Sequence, residues 1–338
     1  MLDMLRIHDP GIVELKSGRG TVLIPPSLCG RIFCQMDGEL LHRLDAAAML
    51  NPSPTEYDNL GGNSLWPAPE GGAFAFNYAP DSDAWKVQDG VAKVVPAVEQ
   101  MDEDSALVRK RMILINKQGK KIDLGYRRIV RVSEKPDALN EYRVDWLNYR
   151  TDDIFEPFGK YSSQDVLLAP WSLEQFPGSD GSVAFGKVQE ARDALNLDFY
   201  GDPGDRIMWD DNCFIFRLGG EDRHQIGIRV KSGPELIGAF DEKRSLLIIR
   251  KTEPMEGIYF NIADNAQASG PFSAADMFSI FNGGGLGFYE LETIGAMKTV
   301  DGLLTTMVLS SDTLILRGKP DELLRYLAEV ESIRVGKR

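Results

Sequence analysis

Apolar and polar residues alternate in short runs along most of this chain. "GTVLIP" (20–25), "RIFCQM" (31–36) and "AFAFNY" (73–78) are bounded by Gly and Pro and predict strands. "SALVRKRMILIN" and "KIDLGYRRIVRVSE" flank "KQGK" (117–120) and predict a hairpin, which "YRVDWLNYR" (142–150) extends. Further runs follow: "RIMWD", "CFIFRL", "QIGIRVK", "RSLLIIRK", "GIYFNIA", "GFYELETI", "LLTTMVL" and "DTLILRG". Turn residues separate them at roughly 8–15 residue intervals, the pattern of a sandwich or barrel rather than of βαβ units.

Helical patterning is sparse. "VPAVEQM" is short; "KVQEARDALN" (187–196) suggests two or three turns, and "SAADMFSIFN" a short helix capped by Ser273. The clearest helix is "KPDELLRYLAEVESI" (319–333). Pro320 stands in its first turn, and Leu323, Leu324, Leu327 and Val330 share a face. Residues 152–205 are rich in loop signals, and long loops on an all-β scaffold shape sites or cover edges. No composition break marks a linker, so residues 1–338 are expected to form one domain.

The 338 residues are 43% apolar and 26% charged, enough for a substantial core. A formal charge of -13 opposes binding to a phosphate backbone, so nucleic acid is not an expected partner. No run of about 18 apolar residues occurs, and no membrane span is expected. Cys29, Cys34 and Cys213 have neither disulfide nor zinc spacing and are read as reduced thiols, which suits a reducing compartment, so a cytoplasmic location is expected. "MLDMLRIHDPG" is not a signal peptide, although a leader removed earlier would leave no trace. No cofactor and no metal is expected.

Several segments carry candidate chemistry. In "NLGGNSLWPAPEGG" (59–72), glycines and prolines could fix a rigid loop that presents Trp66 beside Glu70. An indole face suits the C–H face of a sugar ring and a carboxylate its hydroxyls; a lone Trp equally suits a core plug. "LLAPWSLEQFPGSDG" (167–181) repeats the theme with Trp171, Glu174 and Gln175. "FNGGGLGFYELETIG" (281–295) follows Asn282 and a Gly run with a strand whose Glu290 and Glu292 share one face. Two such carboxylates suit general base work or hydroxyl binding; a solvated strand face would look the same. "RHQIGIRVKSG" (223–233) offers His224 as an acid and Lys231 as a cation. No nucleophile elbow, Walker loop or zincin helix is present.

In this order, "GGNSLWPAPE", "APWSLEQ", "QIGIRVKSG" and "GFYELETIG" resemble an uncharacterised bacterial branch of the galactose mutarotase-like (aldose 1-epimerase-like) superfamily. The resemblance spans about residues 59–296. It implies an all-β supersandwich: two large antiparallel sheets, a few short helices and a C-terminal helix, with a concave sugar-binding face. In mutarotases a Glu takes the proton of the anomeric hydroxyl and a His protonates the ring oxygen. The Glu corresponds to Glu290 or Glu292, and spacing does not choose between them. The family's Asn-His and His-x-Tyr-x-Asn contexts are absent here, and His224 is the histidine well inside the matched region.

The expected function is therefore carbohydrate binding, with or without aldose 1-epimerase turnover, on a sugar or oligosaccharide held by Trp66, Glu70, Trp171, Glu174, Gln175, Lys231 and Asn282. Glu292, Glu290 and His224 are the candidate catalytic groups. One alternative is a structural or protein-interaction sandwich, which would bury Trp66 and Trp171 far apart. A further one is a polysaccharide lyase using Tyr289, Tyr149 and Arg150.

Overall fold

The computed structural model describes residues 1–80, 82, 84–179, 181–260 and 275–336. Within them, two large antiparallel sheets face each other. The larger has ten strands, in the spatial order Ile207–Asp210, Cys213–Arg217, Val183–Lys187, Leu236–Asp241, Leu246–Thr252, Met307–Gly318, Val144–Pro157, Lys121–Val132, Ser105–Ile115 and Ala97–Gln100. The smaller has six: Leu195–Asn196, His224–Arg229, Asp276–Asn282, Phe288–Ile294, Ala169–Pro177 and Gly62–Ala68. A four-stranded meander, Val13–Ser17 through Glu39–Leu40, joins the smaller sheet through a bridge between Ile32 and Asn63.

The expected all-β supersandwich is thus present, with the hairpin around 117–120 in place. The runs "LLTTMVL" and "DTLILRG" merge: Met307–Gly318 is one twelve-residue strand, paired along its whole length with Val144–Pro157. The C-terminal helix spans Pro320–Glu329, opened by Pro320 with Asp321 and Glu322 in the first turn, where acids favour the helix dipole. It lays Leu323, Tyr326 and Leu327 on the outer face of the ten-stranded sheet, against Phe185, Leu247, Ile249 and Leu316. Val330, expected on that face, is 37% exposed.

Two expected helices, and the short helix-like run "VPAVEQM", are strands or loops instead. Residues 276–282, expected as a helix, form a central strand of the smaller sheet, and the Ser273 cap lies outside the described residues. The chain at 187–196 forms no helix. Lys187 ends one strand and Leu195–Asn196 forms another, with Gln189 and Glu190 N–H bonding to Ser232 O between them. "VPAVEQM" contributes the edge strand Ala97–Gln100. In each case sheet neighbours supply the backbone bonds, and tertiary pairing overrides a weak local preference.

The reverse occurs at 73–78, expected as a strand. Only Tyr78 bridges, to Trp85, while Gln88 donates its side-chain amide to Phe76 O at 2.6 Å. The "GGNSLWPA" stretch, expected as a loop, is a strand, Gly62–Ala68, whose entry needs both glycines. Gly61 has φ +85° and a Cβ there would meet Arg43 O at 2.0 Å; Gly62 has φ +70° and would meet Ile32 O at 2.8 Å.

The space between the sheets is not purely apolar. Arg128 donates to both carboxylate oxygens of Asp153 at 2.6 and 3.1 Å, and to Asn63 O and Oδ1 at 3.0 and 2.6 Å, with both members of the ion pair fully buried. Arg250 donates to Leu291 O at 2.6 Å and to Ser172 Oγ at 2.7 Å, and pairs with Glu174 at 3.3 Å. These guanidiniums rise from the ten-stranded sheet and grip the backbone of the smaller one, fixing where its opposite, concave face lies.

Candidate functional site

Strand alternation decides which side chains reach the concave face. On Ala169–Pro177, Trp171, Leu173 and Gln175 line a cavity of about 400 Å³, whereas Ser172 and Glu174 point between the sheets. On Phe288–Ile294, Phe288, Glu290 and Glu292 reach the cavity, and Ser64 and Trp66 do so from the neighbouring strand. Register aligns them: Trp171 lies opposite Trp66, Leu173 opposite Glu292 and Gln175 opposite Glu290. The indoles of Trp66 and Trp171 meet edge to face at 6.2 Å.

The floor is a pair of buried carboxyls. Trp171 Nε1 donates to Glu292 Oε2 at 3.0 Å, and Gln225 Nε2 lies 3.3 Å from both Glu292 oxygens. Gln175 Nε2 donates to Glu290 Oε1 at 2.5 Å. Burial pushes Glu292 well above the ordinary carboxylate range, and the Glu290 charge pushes it further. Burial raises Glu290 too, offset in part by hydrogen bonds from Glu292 and Gln175. Two carboxyls in contact away from water cannot both ionise easily, and the Glu290 charge makes Glu292 the harder of the two to ionise.

This arrangement has a stability consequence. A carboxyl whose pKa is raised on folding binds more protons in the folded chain, so its contribution is full below the unfolded pKa and is lost as pH rises through the folded one. We expect Glu290→Gln to raise the thermal midpoint above neutral pH and leave it nearly unchanged near pH 4, the gain in unfolding free energy being about 1.4 kcal/mol for each pKa unit of the lost shift. Melting curves of the variant and parent from pH 4 to 9 check this; a parallel offset at every pH would show that the raised pKa is not the cause.

The other sequence candidates divide. Glu70 lines the cavity wall and accepts from Trp85 Nε1 at 2.9 Å; burial raises its pKa, against hydrogen bonds from Trp85 and Asn77. Glu174 does not reach the cavity. His42, Tyr149 and Thr313 donate to it behind the sheet, at 2.9 Å from His42 and 3.1 Å from Thr313. Burial opposes its charge, but Arg250 and His42 hold its pKa down to about 2. His42 is buried; Nδ1 accepts from Cys34 N–H, which leaves the proton on Nε2 for Glu174.

His224 is one residue out of phase with the cavity: Gln225 faces it and His224 does not. Burial lowers the His224 pKa, with Arg206 adding to the effect. Lys231 is exposed on the turn Val230–Ser232, away from the cavity. Asn282 binds Gly219 N and O at 2.8 and 3.0 Å and Asp222 O at 3.2 Å, anchoring the loop that carries Arg223 to the cavity mouth. Of the lyase candidates, Tyr149 and Tyr289 are buried on the far side of the floor, and Arg150 pairs with Asp152 and Asp312. None of the three lines the cavity.

Sequence reasoning missed Tyr57, Trp85, Tyr200, Arg223 and Gln225, all at the cavity. Gln225 was accessible from alternation within "RHQIGIR"; the others come from loops, whose path the sequence pattern does not give. Among the described residues, no group of three or more His, Cys, Asp or Glu side chains could hold a metal, and no helix is long and apolar enough to cross a membrane.

This arrangement of antiparallel sheets has solved counterparts. A protein from Escherichia coli K12 described as a candidate aldose 1-epimerase has TM-score 0.51 at 12% identity, over 90% of this chain and 98% of that one. A galactose mutarotase related enzyme from Lactobacillus acidophilus has TM-score 0.49 at 9% identity, over 92% and 99%. The fold is galactose mutarotase-like. The chain itself belongs to a family of unknown function, DUF6786, whose model matches residues 1–333. No curated protein matches it.

Proposed function

We propose that the cavity binds a sugar and that Glu290 and Glu292 interconvert its anomers. The observation that carries this reading is the pair of buried carboxyls, Glu290 and Glu292, that reach the cavity at the foot of the Trp171 indole. Ring opening needs a base at the anomeric hydroxyl and an acid at the ring oxygen, two atoms bonded to the same carbon. A carboxyl pair in contact, one ionised and one protonated, has the span and the composition for that task.

Ionised Glu290 takes the O1 proton as the C1–O5 bond breaks and C1=O1 forms, while Glu292 gives its proton to O5. The pair ends with one proton, as it began, on the other carboxyl. Rotation about C1–C2 presents the other carbonyl face, and the same two transfers in reverse close the ring. No histidine is needed, which accommodates the absence of the family's histidine contexts and the position of His224. Trp66 and Trp171 supply the apolar platform; Gln175 and Gln225 hold the carboxyls in place.

Trp66 and Trp171 are both buried, as a purely structural sandwich would have them, but they meet at one cavity instead of lying apart, which favours the sugar reading. Titration with a panel of monosaccharides, read by intrinsic Trp emission and by calorimetry, tests it. We expect saturable binding of at least one sugar and a loss of about tenfold or more in Trp171→Ala, the scale of one well-packed aromatic contact. No heat and no emission change across the panel would overturn the binding half of the proposal.

A further inference from the structure

The cavity is larger than one pyranose needs. Its volume of about 400 Å³ would hold roughly a dozen waters at about 30 Å³ each. A hexose also has a dozen heavy atoms, but bonded atoms sit at about half the separation of hydrogen-bonded ones, so one ring leaves much of the space unfilled. At the rim, three large apolar side chains are open to solvent: Trp85 is 46% exposed, Tyr200 43% and Leu286 55%. All three line the same cavity as the buried floor.

These rim groups are held in place. Trp85 is tied by its N–H to Glu70 and meets Tyr57 edge to face at 5.9 Å. Tyr200 stacks on Phe199 at 5.6 Å and leans on Phe281 at 6.2 Å. The Arg223 guanidinium sits 6.0 Å from the Tyr200 ring centre and makes no ion pair among the described residues. Rigid, exposed rings beside a free five-donor fork form a surface for C–H faces and hydroxyls together.

Resting on the sugar reading above, we infer that the ligand is an oligosaccharide bound by its reducing end. The free anomeric carbon reaches Glu290 and Glu292, and the next ring lies at the mouth between Trp85 and Tyr200, with Arg223 on its hydroxyls. The direction follows from the chemistry of the two ends. Anomer exchange requires an unsubstituted O1 at the carboxyl pair, so the chain can continue only outward.

The test is calorimetric binding of matched series: glucose with maltose and maltotriose, glucose with cellobiose and cellotriose, and galactose with β-1,4-galactobiose. In at least one series the step from mono- to disaccharide is expected to tighten binding about tenfold. Blocking O1 as the methyl glycoside should weaken the disaccharide. Trp85→Ala and Tyr200→Ala should each collapse the mono-to-disaccharide ratio toward one. Monosaccharide affinity reports separately on the floor and on folding. Monosaccharides bound as tightly as their extended forms in every series, or both classes weakened equally by the rim variants, would overturn the inference and leave the floor reading standing. If neither class binds, the floor reading falls and this one with it.

Discussion

Arg128→Met is expected to lower the unfolding free energy by about 3–5 kcal/mol, the range for removing one partner of a fully buried ion pair. The cost arises mainly from what remains. Asp153 would be left between the sheets with only Thr151 Oγ1, 3.5 Å away, in place of the guanidinium. Asn63 would lose the guanidinium bonds to its carbonyl and to Oδ1, keeping those from Ile32 N–H and Ser172 Oγ, which loosens the edge strand that carries Trp66. The double variant Arg128→Met, Asp153→Leu should recover a large part of the loss, because a volume-matched apolar pair leaves no charge stranded. Urea unfolding of the parent, both single variants and the double variant measures the coupling. Additive losses, with no recovery in the double variant, would mean that the pair is not the source.

The second large effect is on the reaction. Glu292→Gln is expected to lower anomer exchange by about 10²–10⁴-fold, the usual worth of a positioned general acid or base. The Gln carbonyl can still accept from Trp171 Nε1 and its amide can still donate toward Glu290, so fold and sugar affinity should change little. What is lost is the transferable proton. The pH dependence carries its own signature. One proton on the pair is the working state, so exchange should fall at low pH, where both carboxyls are protonated, and at high pH, where both ionise. Since burial raises both groups, the acid limb should lie above the ordinary carboxylate range of about 4.

Much of this architecture was legible in the chain. Alternation and turn residues marked most strands, and alternation alone put Glu290 and Glu292 on one face. The same rule, applied to "WSLEQF", groups Trp171 with Gln175 and excludes Glu174. Glu174 is nevertheless among the ligand groups expected from sequence, as part of a segment that repeats the Trp-and-carboxylate theme. It is instead fully buried beside Arg250, and nothing local signals this, because Arg250 and Thr313 lie 76 and 139 residues further along the chain. Arg128, in "GYRRIVRV", reads as an ordinary polar strand position for the same reason. His224 failed by one step of register, with Gln225 taking the inward place. Residues 276–282 combine apolar runs with helix-compatible residues, and only their two strand neighbours, His224–Arg229 and Phe288–Ile294, decide the outcome. The rim aromatics depend on loop paths that no periodicity encodes.

The most direct test of the central claim is NMR saturation exchange between the α and β anomers of the tightest-binding reducing sugar, measured from pH 4 to 9 with the parent chain, Glu290→Gln and Glu292→Gln. Enzyme-dependent exchange with a bell-shaped profile in the parent, lost in both variants while calorimetric binding persists, is the predicted result. Exchange that survives undiminished in both variants, or a bound sugar whose anomers never exchange, would contradict it.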